Sequence, residues 1–452
     1  MKRVVACILL LTMAFAFVAC EANYELRGDT GYIRTSEEGS GVYGIGGYGI
    51  GKGEFSNKVV YSEAPDGIVY DGEGAYGGEG DERDRIQAGQ LTAKAWNDNE
   101  NYDKWLELYA DGTDNDPSGK LNDYKNGLWA YDTFKRVKVT VTENEKAVVG
   151  AEVKYIAPSQ KSIAVLTDVS GVAYLFPQED ASTVTVKSGS GEATASFTAE
   201  DRDLTVALTE SKAHANVIKM MFVIDATGSM GDEMNYITTE LADVVHRVAA
   251  QSQQVRIDLA LLFYRDDGDQ EKFAYHTFKN VTEEAGLNTQ IDILSKQNAT
   301  GGGDLPEAVD EALVLAAGKD WGEENSTKLM FLVLDAPPHS SETNRDRTFR
   351  AVEAAAAKGI RICPVLCSGA DTMCEYVTRL GALLTGGTSV FVTDDSGIGG
   401  EHLDPDLPDA VVERLNDLMV RLIVGYHTGD FGTPVAWNAG QETQSQSSDP
   451  VQ

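Results

Sequence analysis

Apolar residues repeat along this chain in two rhythms, and the change between them falls near residue 210. Across 134–208 they alternate with polar ones. Val137, Val139 and Val141 interleave with Lys138, Thr140 and Thr142, and Val153 and Tyr155, Val184 and Val186, and Leu204, Val206 and Leu208 continue the pattern. A period of two puts one face of each strand in a core and the other in solvent. Short strands at this spacing predict a small all-β sandwich over 131–210.

Across 214–427 the apolar residues come instead in unbroken runs of strand length, each followed by a helical spacing. The run V-I-K-M-M-F-V-I-D, ending at Asp225, is interrupted only by Lys219, as expected of a strand buried on both faces. Behind it Met234, Ile237, Leu241, Val244 and Val248 mark one face of a helix. V-R-I-D-L-A-L-L-F-Y-R-D predicts a second strand, and K-F-A-Y-H-T-F-K pairs with it as an antiparallel edge hairpin. A helix over 306–320, the strand K-L-M-F-L-V-L-D ending at Asp335, and an alanine-rich helix over 343–358 follow. A strand through Ile362 and Val365, a further helix, the strand S-V-F-V-T-D-D, and a last helix through Val411, Leu415, Leu418 and Leu422 complete the set. This order implies an α/β doubly wound, mostly parallel sheet, with ligands beyond the C-terminal strand ends.

The flanking segments read differently. Residues 1–20 have Lys2 and Arg3, an apolar core, and Ala19 before Cys20, the pattern of an export signal. F-V-A-C resembles a bacterial lipobox, which implies lipidation at Cys20 and a place in the bacterial cell envelope or surface. Residues 21–85 are rich in Gly, Tyr and acids and predict a flexible tether. Residues 86–130 gather aromatics, and L-T-A-K-A-W-N-D-N-E-N-Y-D-K-W-L-E-L-Y predicts a short helix in a small module whose rings pack on the next domain. Residues 428–452 are rich in Gln and Ser and predict a disordered tail.

A formal net charge of -33 argues against nucleic acid, and against anionic membrane except through a lipid anchor. Cys363, Cys367 and Cys374 have no nearby histidine to make a zinc site; Cys363 and Cys367 lie in an apolar strand-like run and read as buried free thiols, with a Cys367–Cys374 disulfide as the alternative.

Chemistry concentrates where the first long strand meets its helix. Asp225, Thr227 and Ser229 form a D-x-T-x-S turn, oxygen donors that suit a hard divalent cation. The turn resembles the metal-ion-dependent adhesion site of von Willebrand factor A domains, and the resemblance covers the whole of 214–427. It implies a Rossmann-like fold and no catalytic turnover. It also implies a cation (Mg2+, with Ca2+ and Mn2+ as alternatives) and a protein or glycan ligand bound at the metal edge. It implies three converging loops: the turn, the middle loop A-T-G-G-G-D-L-P-E, and the loop that opens at Asp335. The middle loop offers either Thr300 or Asp304, and counting back from the helix favours Asp304. D-L-P-E also has the spacing of a capping box, Asp304 with Glu307. The 131–210 strands resemble the regulatory-like β-sandwich of carboxypeptidases, which implies a spacer.

Two rival readings remain. In one, Ser229 is the nucleophile of a serine hydrolase with His339, His402 or His427 downstream, although Thr227 stands where a nucleophile elbow wants glycine. In the other, the chain is a metal-independent scaffold of the envelope. The stretch D-D-S-G-I-G-G-E-H-L-D-P-D, 394–406, reads as a Gly-rich acidic loop beside the metal edge.

Overall fold

The apolar run Val217–Asp225 lies inside a nine-stranded sheet, hydrogen-bonded along both edges. The computed structural model describes residues 34–35, 86–110, 119–159, 161–179, 183–197, 201–251, 254–303, 305–322 and 325–438. Cys20, the tether apart from 34–35, Asp304, and the tail beyond 438 lie outside them. All described residues belong to one unit, Ile33–Gln452.

In chain order, β1 (Arg34–Thr35), β2 (Thr92–Trp96) and helix α1 (Tyr102–Glu107) come first. Eight short strands follow: β3 (Val137–Glu143), β4 (Lys146–Ala147), β5 (Glu152–Ile156), β6 (Ser162–Leu166), β7 (Val172–Leu175), β8 (Thr183–Ser188), β9 (Gly191–Ser196) and β10 (Asp203–Leu208). The C-terminal region runs β11 (Val217–Asp225), α2 (Met234–Gln251), β12 (Arg256–Tyr264), β13 (Phe273–Asn280), α3 (Glu284–Ser295), α4 (Val309–Gly318) and β14 (Thr327–Leu334). It ends with α5 (Glu342–Ala357), β15 (Ile360–Leu366), α6 (Thr372–Thr385), β16 (Ser389–Val392), β17 (Glu413–Arg414) and α7 (Leu415–Thr428).

The large sheet has the order β1-β13-β12-β11-β14-β15-β16-β2-β17. β12, β11, β14, β15 and β16 are parallel, and β13 runs antiparallel to β12 as its pattern predicts. Alternate residues of β11 feed two cores. Met221 and Val223 pack with α4, α5 and α6, while Ile218, Met220, Phe222 and Ile224 pack with α2 and α7. Both faces are therefore covered by helices, which is why the strands read as continuous apolar runs. Phe222 and Phe331 meet edge-on at 5.7 Å, and truncating either to Ala costs ~3–5 kcal/mol.

Four expectations need correction. Residues 86–130 do not form a module apart, because β2 pairs antiparallel with β16 and covers its edge. Where a helix was expected, Thr92, Ala93 and Trp96 are buried in a strand, and the helix is confined to Tyr102–Glu107. The predicted ring packing does occur, with Tyr102 against Phe176 at 6.5 Å, and Tyr124 in addition stacks on Tyr376 at 4.4 Å. The helix expected over 306–320 starts only at Val309, and Val411 precedes the last helix as an exposed residue.

The eight short strands make two four-stranded sheets, β10-β3-β4 with β7 beside β3, and β6-β5-β8-β9. Val137, Val139 and Val141 share one buried cluster with Val153, Tyr155, Val184 and Val186. Asn325 ties this part to the large sheet, donating from Nδ2 to the Val149 carbonyl at 2.8 Å.

Candidate metal centre

β11 ends at Asp225, and the chain leaves the sheet through a 3-10 turn, Gly228–Asp232, before α2 begins. Asp225 Oδ1 accepts the Thr227 N–H at 2.9 Å and the Thr227 hydroxyl at 2.7 Å. Thr227 Oγ1 stands 3.1 Å from Ser229 Oγ. β14 lies in parallel register beside β11, with Val333 opposite Ile224, so Asp335 emerges next to Asp225.

The middle loop closes the site from the other side. Thr300 donates its N–H to the Ala226 carbonyl at 2.9 Å, and Gly228 donates to the Gly301 carbonyl at 3.0 Å. The Thr300 side chain is exposed. Gly302 has φ +75°, and a Cβ there would come within 2.9 Å of Glu307 Oε1 and 3.2 Å of Thr227 Cβ. Only glycine lets this strand of loop pass so close.

Glu307 is the residue that sequence reasoning missed. The helix begins at Val309 with Ala308 as its cap residue, so Glu307 stands before the helix and forms no capping box. Its N–H donates to the Pro337 carbonyl at 3.0 Å, which joins the middle loop to the loop after Asp335. The side chain is buried, 3% exposed. The signal was present in the apolar spacing of Ala308, Ala312, Leu313 and Ala316, which starts after Glu307 and leaves it in the loop.

Three carboxylates on these loops each leave one oxygen unsatisfied. Asp225 Oδ2, Glu307 Oε2 and Asp335 Oδ1 are buried and lack a hydrogen-bond partner. Burial, and then the charge of Asp335, push Asp225 up to about 7. Burial, and then the charges of Asp225, Asp266, Asp335 and Asp269, push Glu307 up to about 9. Burial pushes Asp335 up to about 6, against the pull of the Ser229 hydroxyl. Among the described residues no three His, Cys, Asp or Glu side chains already stand at metal-ligand spacing. The donor set here is mixed, two hydroxyls with three carboxylates, all hard oxygen ligands of the kind Mg2+ or Ca2+ takes.

The histidines are engaged elsewhere. His339 Nε2 lies 2.7 Å from Asp266 Oδ1, and His402 lies between Glu233 and Asp394. His427 Nδ1 lies 2.9 Å from Thr327 Oγ1, in the first residue of β14, at the strand end away from Asp335. Cys363, Cys367 and Cys374 are free and buried.

Comparison with known proteins gives loose overlaps and one family match. The pilus adhesin SpaC of Lactobacillus rhamnosus GG, in its open conformation, overlaps 54% of this chain and 31% of its own at 11% identity, TM-score 0.32. An aerotolerance-related membrane protein from Bacteroides fragilis NCTC 9343 overlaps 50% of this chain and 95% of its own at 13% identity, TM-score 0.25. An ariadne-like RING finger protein, R811, of Acanthamoeba polyphaga mimivirus is 27% identical over 140 residues. That stretch is 30% of this chain, and the chain spans only 13% of the mimivirus protein's length. Residues 219–374, which hold the D-x-T-x-S turn, the middle loop and Asp335, match the family model of the von Willebrand factor A domain.

Proposed function

We propose that Asp225, Thr227, Ser229, Glu307 and Asp335 hold a divalent cation, and that the cation and its loops bind a protein or glycan without turnover. Mg2+ is the first choice, with Ca2+ and Mn2+ as alternatives. The observation that carries this reading is the set of three buried carboxylate oxygens without partners, together with the neighbouring Thr227 and Ser229 hydroxyls. Buried charges that repel one another are stable only when paired or coordinated. The family match over 219–374 supports the same reading.

Glu307 takes the place for which Thr300 and Asp304 were the sequence candidates. With three carboxylates the cation is largely neutralised by the protein, so its remaining position favours a hydroxyl or carbonyl oxygen over a partner's carboxylate. The facing four-stranded sheets act as a sandwich spacer in this reading, and Cys20 is the lipid anchor at the cell envelope. Neither Ser229 nor another residue is assigned a catalytic role.

Thermal melting of the full chain tests the cation. Mg2+ at a hundred times its dissociation constant should add about 2.7 kcal/mol. In a protein of this size that is an upward shift on the order of a few degrees over the EDTA-treated sample. Asp225→Ala should show no shift. Superimposable curves for the wild type with EDTA and with saturating Mg2+, Ca2+ and Mn2+ would overturn the assignment.

A further inference from the structure

The acidic stretch 394–406 folds back onto the turn that carries Ser229, and one side chain fastens it there. His402 Nε2 lies 2.5 Å from Glu233 Oε1, and Nδ1 lies 2.7 Å from Asp394 Oδ1. The His402 N–H donates to the same Asp394 oxygen at 3.2 Å. The imidazole is 2% exposed and the Glu233 side chain 0%, whereas the Asp394 side chain is 66% exposed. With both flanking carboxyls ionised, the imidazole donates from both nitrogens and is then the imidazolium.

Glu233 closes the 3-10 turn that contains Ser229, and its carbonyl starts the hydrogen bonding of α2. Its second oxygen accepts the Ser368 N–H at 3.0 Å, and Ser368 Oγ donates to Asp232 Oδ2 at 3.2 Å. Gly399, at φ +84°, lies so close that a Cβ would fall 2.4 Å from Glu233 Oε1. Gly369 N–H donates to the Glu401 carbonyl at 3.0 Å. The groups facing this contact are therefore Glu233 and Asp232 from the turn, Asp394 from the end of β16, the buried Cys367 thiol after β15, and Asp335 after β14, which feels the charges of Glu233 and Asp232. Burial works against the charge on His402, and the bonds to Glu233 and Asp394 work for it, leaving its pKa above the ordinary histidine value.

We propose that His402 is a positioning residue that clamps the 394–402 loop onto the cation-carrying turn, and that loss of its proton opens the clamp. A neutral imidazole keeps one N–H and turns a lone pair toward the other carboxylate. Glu233 is sealed from water and keeps the N–H, whereas Asp394 reaches solvent and loses its contact. The contact therefore breaks on the Asp394 side and frees the loop over the metal edge. The clamp itself needs no cation. Its bearing on ligand access rests on the proposed function.

The test is an NMR titration of the His402 ring, with hydrogen exchange of residues 397–403, on full-length protein without added cation. The ring should titrate above the ~6.5 of a free histidine. After correction for the intrinsic rate, protection of these amides should fall on the order of tenfold as pH crosses that point. Asp394→Asn, a change at an exposed side chain, should lower the His402 pKa and shift the loss of protection to lower pH with it. His402→Gln should make protection independent of pH. A His402 that titrates at or below the free value, or protection unchanged across its titration, overturns the clamp. Failure here leaves the cation site standing, and absence of Mg2+ binding leaves the clamp standing.

Discussion

At the scale of single residues, the site is defined by carboxylates held where charge is unwelcome. Asp225 and Glu307 have folded-state pKa values raised to about 7 and about 9. A raised carboxylate contributes stability that is fully present below its unfolded value near ~4 and is lost as pH rises through the folded value. The metal-free protein should therefore melt lower at pH 8 than at pH 5, by up to ~1.4 kcal/mol per unit and per group across those windows. Glu307→Gln should flatten this slope, and added cation should reverse it. A melting temperature in EDTA that does not fall between pH 5 and pH 8 would contradict the placement of these groups. The places of Asp225 and Asp335 at the ends of β11 and β14 were legible because an apolar run stops at each, and Thr227 and Ser229 follow in the turn. Glu307 was not, because its place depends on the positive φ of Gly302 and on a bond to Pro337, thirty residues on.

At the scale of elements, the central strands could be read directly, since β11, β14 and β15 are buried on both faces and carry little else but apolar side chains. β2 could not. T-A-K-A-W has no strong strand preference, and its conformation comes from pairing with β16, a partner nearly three hundred residues away. The same segment brings Asp98 to the buried guanidinium of Arg379, at 2.6 Å, where Glu375 also binds at 2.8 Å. A shortened chain beginning at residue 212 should thus fail as an independent domain. It would bare the edge of β16, strip Tyr376 of its stacking partner and remove one of the two carboxylates from Arg379. Size-exclusion chromatography should show association, and melting should fall by at least about 5 °C, roughly the effect of losing 1–2 kcal/mol. A monomer as stable as the full chain would show that residues 86–130 are dispensable packing. The last helix was read too long for a similar reason, since Val411 looks periodic in sequence yet precedes α7 as an exposed residue.

At the scale of the whole molecule, a net charge of -33 repels acidic partners at long range and attracts cations. Both effects agree with the proposed divalent ion and with a ligand that offers neutral oxygens. The two-rhythm organisation of the chain was legible throughout, but the assembly of three loops at one sheet edge was legible only in part, because loop convergence is set by tertiary bonds. The proposed site at this edge holds one divalent cation through Asp225, Thr227, Ser229, Glu307 and Asp335. Isothermal titration of Mg2+ into EDTA-stripped, dialysed full-length protein measures it most directly. One cation should bind per chain, with Asp225→Ala abolishing the heat and Glu307→Gln weakening the affinity on the order of tenfold or more. No saturable heat with Mg2+, Ca2+ or Mn2+, or the same isotherm for wild type and Asp225→Ala, would contradict it.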